Sequence, residues 1–194
     1  MKQGFRRFAF ASLPLALIFA TPAMSQSITI GLASEPTSVD PHFHNLVPNN
    51  ALRQHIFEGL TISDENMLIQ PGLATSWEAT SETTWEFTLR EGVTFSDGTP
   101  FTAADVIYSY CRVPLIEDSP SSFTSFIADI VDIEAPDAST IIFTTSGPSP
   151  LLPTNLAQVG IVSSAAFGGE GAEFGADGCS NLGDLPASTD FANP

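Results

Sequence analysis

The three histidines are the residues whose types and spacing most directly suggest chemistry. His42 and His44 are two positions apart and His55 follows further along the chain, with Asp40 and Glu58 nearby. Imidazole rings at this spacing could bind one transition-metal ion if the loop that carries them were extended. However, the sequence indicates no residue that would orient these imidazole rings by a hydrogen bond to the ring nitrogen that does not bind the metal. We therefore favour the alternative, in which His42 or His44 lines a groove and His55 packs on a helix surface.

The sequence contains none of the common catalytic or phosphate-binding motifs. It has no G-x-S-x-G elbow, P-loop, zincin helix or dinucleotide fingerprint. The glycines of GGEGAEFG neither follow a clear strand nor open a helix, so they do not indicate phosphate binding. Residues 177–184 offer oxygen ligands, but their spacing is not that of an EF-hand calcium loop. We therefore expect no enzymatic activity and no cofactor.

The stretch TLREGVTFSDGTPFTAADVIYSY, residues 88–110, has polar residues that local backbone geometry explains. Asp97-Gly98 is a turn dipeptide. Thr102 and Asp105 form the pattern T-x-x-D, a capping box that begins a helix. Asp97 could in principle act as an acid, but turn chemistry already accounts for it. We interpret this stretch as scaffold.

The first 25 residues have the pattern of a secretory signal peptide. Three basic residues precede an apolar run over residues 9–20, and small residues follow up to Ser25. We expect cleavage after Ser25, with a cut after Ala23 as the alternative. The first cysteine is Cys111, so a lipid anchor at the cleavage site is not expected. The sequence thus predicts an exported, soluble protein.

The charge beyond the signal peptide is strongly negative. All 22 acidic residues of the chain lie there, whereas the basic residues are only Arg53, Arg90 and Arg112. Such a field repels nucleic acid and anionic lipid, so neither is an expected partner. We favour a solvated acidic surface over a site for a cationic ligand.

Cys111 and Cys179 are the only two cysteines in the sequence. Export to an oxidising compartment permits a disulfide between them, although their spacing does not define its geometry. A zinc site would need histidines close to them in sequence, and there are none. We favour the disulfide.

Hydrophobic periodicity and turn residues predict alternating strands and short helices. The predicted strands are residues 27–33, a hairpin around SETT, the pair IVDIEAP and STIIFTT joined at Asp137, and VGIVS. The predicted helices are NNALRQHIFEGL capped by Asn49 or Asn50, one after Thr102, one capped by Ser119 that includes Phe123 and Ile130, and one in GPSPLLPTNLA. Residues 165–184 are predicted to form an irregular loop.

Four motifs in a fixed order resemble a known family. They are SVDPH after the first strand, IFEGL, PGLATSWE, and WEFTLREGVTFSDGTPFTAADVIYSY. Over residues 27–163 the sequence resembles the extracytoplasmic solute-binding proteins of the peptide/nickel type, family 5, which serve ATP-driven importers. The resemblance implies an α/β fold with two lobes joined by a hinge, a ligand buried between the lobes, and an inserted subdomain in the first lobe.

The resemblance also implies a division of the chain. Residues 1–25 would be the signal peptide, 26–62 the start of the first-lobe main sheet, 63–159 the inserted α/β subdomain, and 160–194 the return toward the first lobe. Family members are considerably longer than 194 residues. We therefore expect the N-terminal lobe of a two-lobe periplasmic binding protein, truncated before the second lobe.

The family's ligand contacts fall on two segments of this chain. The position of an acidic contact in peptide-binding relatives falls on Asn45, beside His44, and an apolar contact falls on Val47. A cleft aromatic falls on Ser121, with Phe123 two residues further on. These five residues are the predicted ligand-binding set. The alternative is that Asn45 satisfies loop backbone groups and that Phe123 belongs to the core.

The function implied by the resemblance is capture of di- or oligopeptides in the periplasm for uptake. Its expected partners are the peptide and the membrane permease subunits of an ABC importer, and the receptor is expected to be a monomer. The alternatives are a family member that binds an opine, an oligosaccharide or a nickel complex, and an exported metal-binding protein that uses His42, His44 and His55. An exported hydrolase is the weakest alternative, since no nucleophile or paired carboxylate stands out.

Overall fold

The computed structural model of the chain describes residues 29–175 and 178–183, so the predicted signal peptide lies outside the described residues. The helices are α1 (Val47–Ile56), α2 (Ala103–Arg112) and α3 (Leu152–Leu156). The strands are β1 (Thr61–Ser63), β2 (Ile69–Pro71), β3 (Ala74–Ala79), β4 (Thr84–Leu89), β5 (Ile130–Asp137), β6 (Thr140–Thr145), β7 (Glu173–Gly175) and β8 (Gly178–Ser180). Short 3-10 helices occupy Val113–Leu115, Thr124–Phe126 and Ala165–Phe167. In the part of the chain that the structure describes, no helix is both long and apolar enough to span a membrane.

The main sheet is antiparallel and has the strand order β3-β4-β6-β5-β7-β8. Two hairpins, β3–β4 and β5–β6, meet where β4 pairs with β6. Strands β1 and β2 form a separate antiparallel pair. The hairpin predicted around SETT and the strand pair joined at Asp137 are therefore confirmed.

The core lies between one face of the main sheet and α2. Phe87 and Phe143 are adjacent, with ring centroids 5.5 Å apart, and Tyr110 of α2 packs edge-on against Phe143 at 5.3 Å. All three side chains are buried. Aromatic residues contribute large apolar areas and prefer such edge-to-face contacts, which orients α2 across the strands.

The start of α2 confirms the predicted turn and capping box. Thr99 N donates to Asp97 Oδ1 at 2.9 Å, and Gly98 has a left-handed φ of 88° that suits a residue without a Cβ. Thr102 N donates to Asp105 Oδ2 at 2.7 Å and the full capping box is present. Asp105 also accepts a hydrogen bond from Ser164 N at 2.7 Å, a long-range contact that local sequence does not reveal.

The first helix differs from its prediction at both ends. It begins at Val47, with Pro48 in the first turn, and ends at Ile56 rather than at Leu60. Proline is favoured in a first turn because its missing N–H would have no intrahelical acceptor. Asn49 does not cap the helix, since it is the third residue of α1 and its Oδ1 accepts from Thr37 N at 3.2 Å.

The helix predicted to start at Ser119 is wrong. Ser119 Oγ donates to Phe43 O at 2.6 Å, and no helix begins at Ser119. The segment contains only the 3-10 turn Thr124–Phe126 before β5 begins at Ile130. A contact with a distant loop has replaced the local hydrogen bond that the sequence pattern indicated.

Two predicted strands are not found among the described residues. Residues 29–33 have no regular secondary structure, and residues 27 and 28 lie outside the described part. VGIVS is buried but makes isolated contacts, with Ile161 N donating to Glu58 O at 2.8 Å and Val162 N to Ser109 Oγ at 2.9 Å. A strand needs a neighbouring ladder, and these residues have no paired strand within the described ranges.

The glycine-rich segment is more ordered than predicted. Strands β7 and β8 form a hairpin that adds to the sheet where Phe174 pairs with Ile133. Cys179 of β8 forms a disulfide with Cys111 of α2, with their Cα atoms 5.6 Å apart. The predicted disulfide is confirmed, and it fastens this hairpin to the helix that crosses the sheet.

Candidate functional site

A buried ion pair anchors the loop that leads to α1. Arg112 donates from Nη1 to Asp40 Oδ1 at 2.9 Å and from Nη2 to Asp40 Oδ2 at 2.7 Å. Both side chains are 0% exposed. Burial alone would raise the pKa of Asp40, but the hydrogen bond and charge of Arg112, together with the backbone N–H of His42, lower it. The ion pair with Arg112 therefore holds the start of this loop in place.

Hydrogen bonds within the same cluster determine the tautomer of His42. Its Nδ1 lies 3.0 Å from Arg112 Nη1, and because a guanidinium only donates, Nδ1 must accept. The proton is then on Nε2, which donates to Gly160 O at 2.7 Å. Burial, followed by the positive charge of Arg112, lowers the pKa of His42 to about 4. His42 is thus a neutral structural residue whose two nitrogens are both occupied.

The structure does not bring the three histidines together as a metal site. His44 Nδ1 lies 2.8 Å from Thr37 Oγ1, whereas His55 is exposed on α1. No group of three or more histidine, cysteine, aspartate or glutamate side chains within residues 29–175 and 178–183 could hold a metal ion. The geometry favours the groove interpretation of His44 over the metal site.

Three of the five predicted ligand-binding residues meet at one place. His44 forms a parallel bridge with Ser121, and Asn45 N donates to Ser121 O at 2.9 Å. Val47 follows at the first position of α1 with 80% of its side chain exposed. The loop before α1 and the segment around Ser121 therefore form one continuous wall, which we call the 44–47/121 wall.

Phe123 lies beneath this wall rather than on it. Its side chain is only 1% exposed, and the Arg53 guanidinium carbon lies 5.6 Å from the centre of its ring. This position matches the core alternative stated for Phe123. Its role as a direct ligand contact stays a prediction, and the structure gives it a supporting contact with Arg53.

Arg53 and Asn50 are polar residues near the wall that sequence reasoning did not select. Arg53 is only 4% exposed, and burial lowers its pKa. Asn50 Nδ2 donates to Asn45 Oδ1 at 2.8 Å. A basic residue in the middle of a short helix usually lies in solvent, so only the three-dimensional position of Arg53 reveals its burial.

The predicted residues do not line the neighbouring apolar cleft of about 380 Å³. That cleft lies between the end of α1 and the turn at Asp97, and phenylalanines 57, 95, 101 and 167 line much of it. Asp97 has a lowered pKa because Thr99 hydrogen-bonds to it. A carboxylate stabilised in its ionised form is poorly suited to serve as a general acid, which agrees with its interpretation as scaffold.

Comparison with known proteins places this arrangement in a family. The family model for bacterial extracellular solute-binding proteins, family 5 Middle, matches residues 69–189. The chain belongs to this family. The predicted recognition is confirmed, and the mixed α/β structure agrees with part of a family 5 binding-protein fold.

Individual relatives cover most of this chain but only part of their own length. The periplasmic oligopeptide-binding protein OppA of Haemophilus influenzae is 31% identical over 171 residues, which is 74% of this chain and 32% of that protein. The chain therefore spans about a third of the length of this curated relative.

Solved structures give the same picture. The unliganded open form of MppA, a periplasmic murein tripeptide-binding protein, matches with a TM-score of 0.62 and 30% identity over 69% of this chain and 30% of that one. AgaA of A. tumefaciens R10, in complex with agropinic acid, matches with a TM-score of 0.58 and 32% identity over 69% and 27%. The solved structures similar to this chain thus include one named for tripeptide binding and one in complex with agropinic acid.

Proposed function

We propose that this protein is a periplasmic solute-binding receptor of an ABC importer and that it captures di- or oligopeptides. The observation that carries the proposal is the 44–47/121 wall, which presents Asn45 and the exposed Val47 side by side. The relatives named above for oligopeptide and murein tripeptide binding support the peptide as ligand. These relatives are binding proteins, which supports a non-enzymatic role.

The composition of the wall suits a surface that is covered when ligand binds. Leu46 and Val47 are both exposed apolar side chains next to the polar Asn45. Small-molecule sites are mostly apolar, with a few polar groups that orient the ligand. Asn45 would supply the directional contact and Val47 the apolar one, while the Ser121 backbone holds the loop in place.

The wider arrangement follows from the same proposal. The signal peptide 1–25 is removed on export, 26–62 begins the first lobe, 63–159 forms its inserted subdomain, and 160–194 returns toward that lobe. The partners are the solute and the permease subunits, with no role for nucleic acid, and the receptor acts as a monomer. This protein would therefore deliver solute to the importer without transforming it.

Paired substitutions in the wall test the proposal on the full-length protein. Asn45→Ala and Val47→Asp are each expected to weaken binding of a tripeptide mixture by about 1 kcal/mol or more, because a ligand hydrogen bond or an apolar contact is lost. Isothermal titration calorimetry measures the affinity, and the melting temperature without ligand is expected to change little.

Gln54→Ala, an exposed position on the same helix, is the matched control and is expected to bind as the wild type does. Unchanged affinity in both wall variants would remove this wall from the ligand site. No tripeptide binding by the wild-type protein, together with binding of agropinic acid, would replace the peptide with an opine.

A further inference from the structure

Arg53 differs from the other two arginines that the structure describes. Arg112 has its Nη1 and Nη2 on Asp40. Arg90 donates from both Nε and Nη2 to Gly72 O, at 3.1 and 3.0 Å. The Nε and Nη2 atoms of Arg53 are buried and have no hydrogen-bond acceptor among residues 29–175 and 178–183.

The two unmatched nitrogens belong to one edge of the guanidinium group. Their N–H bonds lie in a single plane as a fork, which matches the two oxygens of a carboxylate. Arg53 Cζ lies over the ring of Phe123, 5.6 Å from its centroid, and this ring offers no hydrogen-bond acceptor to the edge. A buried arginine with unmatched donors is costly, so an acceptor placed at this edge would stabilise it, and an anionic acceptor would do so most.

Asn50 lies one turn before Arg53 on α1 and carries the complementary group. Its Oδ1 is buried without a donor among the described residues, and residues three apart on a helix are neighbours. Its Nδ2 is used by Asn45 Oδ1. The structure gives no acceptor for Asn45 Nδ2 among the described residues, so this donor is available to a ligand.

We infer that α1 and the preceding loop bind the carboxylate end of a solute, and this inference rests on the proposed function for the existence of that solute. Arg53 takes both carboxylate oxygens, Asn50 Oδ1 accepts from an adjacent N–H, and Asn45 Nδ2 donates to a neighbouring oxygen. The terminal residue of a peptide, or another N-substituted amino acid, has a carboxylate and an N–H on the same carbon.

The polarity of this wall is therefore the reverse of the one expected from the family resemblance. An acidic residue at position 45 would attract a positively charged amino terminus, whereas Asn45, Asn50 and Arg53 together attract a negatively charged end. Arg53 Nε and Nη2 are buried in this structure. The guanidinium edge must therefore become exposed before a ligand can bind to it.

The first experiment compares trialanine with trialanine amide and N-acetyl-trialanine by calorimetry on the full-length protein. The wild type is expected to bind the amide about tenfold or more weakly than the free acid, because a charged hydrogen-bonded pair is lost. N-acetylation is expected to leave the affinity unchanged.

Arg53→Lys keeps the positive charge and loses the paired N–H donors. It is expected to reduce the difference in affinity between the free acid and the amide, whereas the control Arg90→Lys is expected to retain that difference. Equal binding of acid and amide by the wild type, or an undiminished difference in Arg53→Lys, would overturn the inference.

A second measurement does not depend on peptide binding and so separates failure of this inference from failure of the proposed function. The ¹⁵Nε–H signal of Arg53 is followed by NMR during titration with N-acetylalanine, with Arg90 as the internal reference. The Arg53 signal is expected to shift and to exchange more slowly with water, while the Arg90 signal stays in place. If the Arg53 signal is already protected from exchange with water and does not respond to N-acetylalanine, the partner of Arg53 belongs to the protein chain itself. That result would overturn a solute site. A signal that exchanges freely throughout would overturn the carboxylate site altogether.

Discussion

Acidification is expected to destabilise the protein through His42. The folded state holds the pKa of this residue at about 4, below its ordinary value of 6.5. Between these values the unfolded chain binds a proton that the folded chain does not, so the free energy of unfolding falls as the pH falls from 6.5 to 4. One proton corresponds to about 1.4 kcal/mol for each pH unit, and the window gives about 3 kcal/mol in total.

Urea denaturation at several pH values, followed by the fluorescence of Trp77 and Trp85, measures this effect. The comparison of interest is the slope of unfolding free energy against pH, since other groups also titrate near pH 4. His42→Gln is expected to flatten the slope between pH 4.5 and 6.5, even if its stability at pH 7 is lower. His55→Gln, at an exposed position of α1, is expected to keep the wild-type slope. A wild-type slope in His42→Gln would refute the assignment of a buried, neutral imidazole.

Two further perturbations test the contacts that hold the fold. Arg112→Met is expected to lower the free energy of unfolding by about 3–5 kcal/mol, because it leaves the Asp40 carboxylate buried without its cation. Adding Asp40→Leu is expected to recover part of that loss in urea denaturation, and a strictly additive double variant would contradict the pairing. Reducing the Cys111–Cys179 disulfide, which closes a 68-residue separation, is expected to cost up to about 4 kcal/mol in the same assay. The reductant is expected to have no effect on Cys111→Ala/Cys179→Ser, and an equal effect there would assign the change to another cause.

Features determined by neighbouring residues could be predicted from the sequence. The turn at Asp97-Gly98 and the capping box of Thr102 and Asp105 form as predicted, because each hydrogen bond joins residues at most three positions apart. The hairpins β3–β4 and β5–β6 can be predicted in the same way, because the alternating apolar and polar side chains and the polar turn between the strands lie within one short stretch of sequence. A feature can thus be predicted wherever both hydrogen-bond partners lie close together in the sequence.

Features with a distant partner could not be predicted in the same way. Ser119 has the composition of a helix cap, but its hydroxyl bonds to Phe43 O, 76 residues away. The buried VGIVS segment reads as a strand, yet Ile161 N bonds to Glu58 O instead of a ladder. Arg53 is a further case, because a single charged residue in a helix carries no pattern that reveals its burial. Only the family resemblance, which supplies long-range information, selects the loop residues His44, Asn45 and Ser121, and their contact with a ligand stays a prediction.

The cluster of Asp40, Arg112 and His42 has a consequence for building chimeras within the family. Asp40 and His42 come before the stretch 63–159, Arg112 lies inside it, and Gly160, the acceptor of the His42 proton, comes directly after it. A cassette exchange of 63–159 alone would place a foreign side chain opposite Asp40, and a partner without a positive charge would leave that carboxylate buried and uncompensated. If the incoming cassette has no cation at this position, residues 40–42 must be exchanged together with it, and the transferable unit then begins in the loop that carries the 44–47/121 wall.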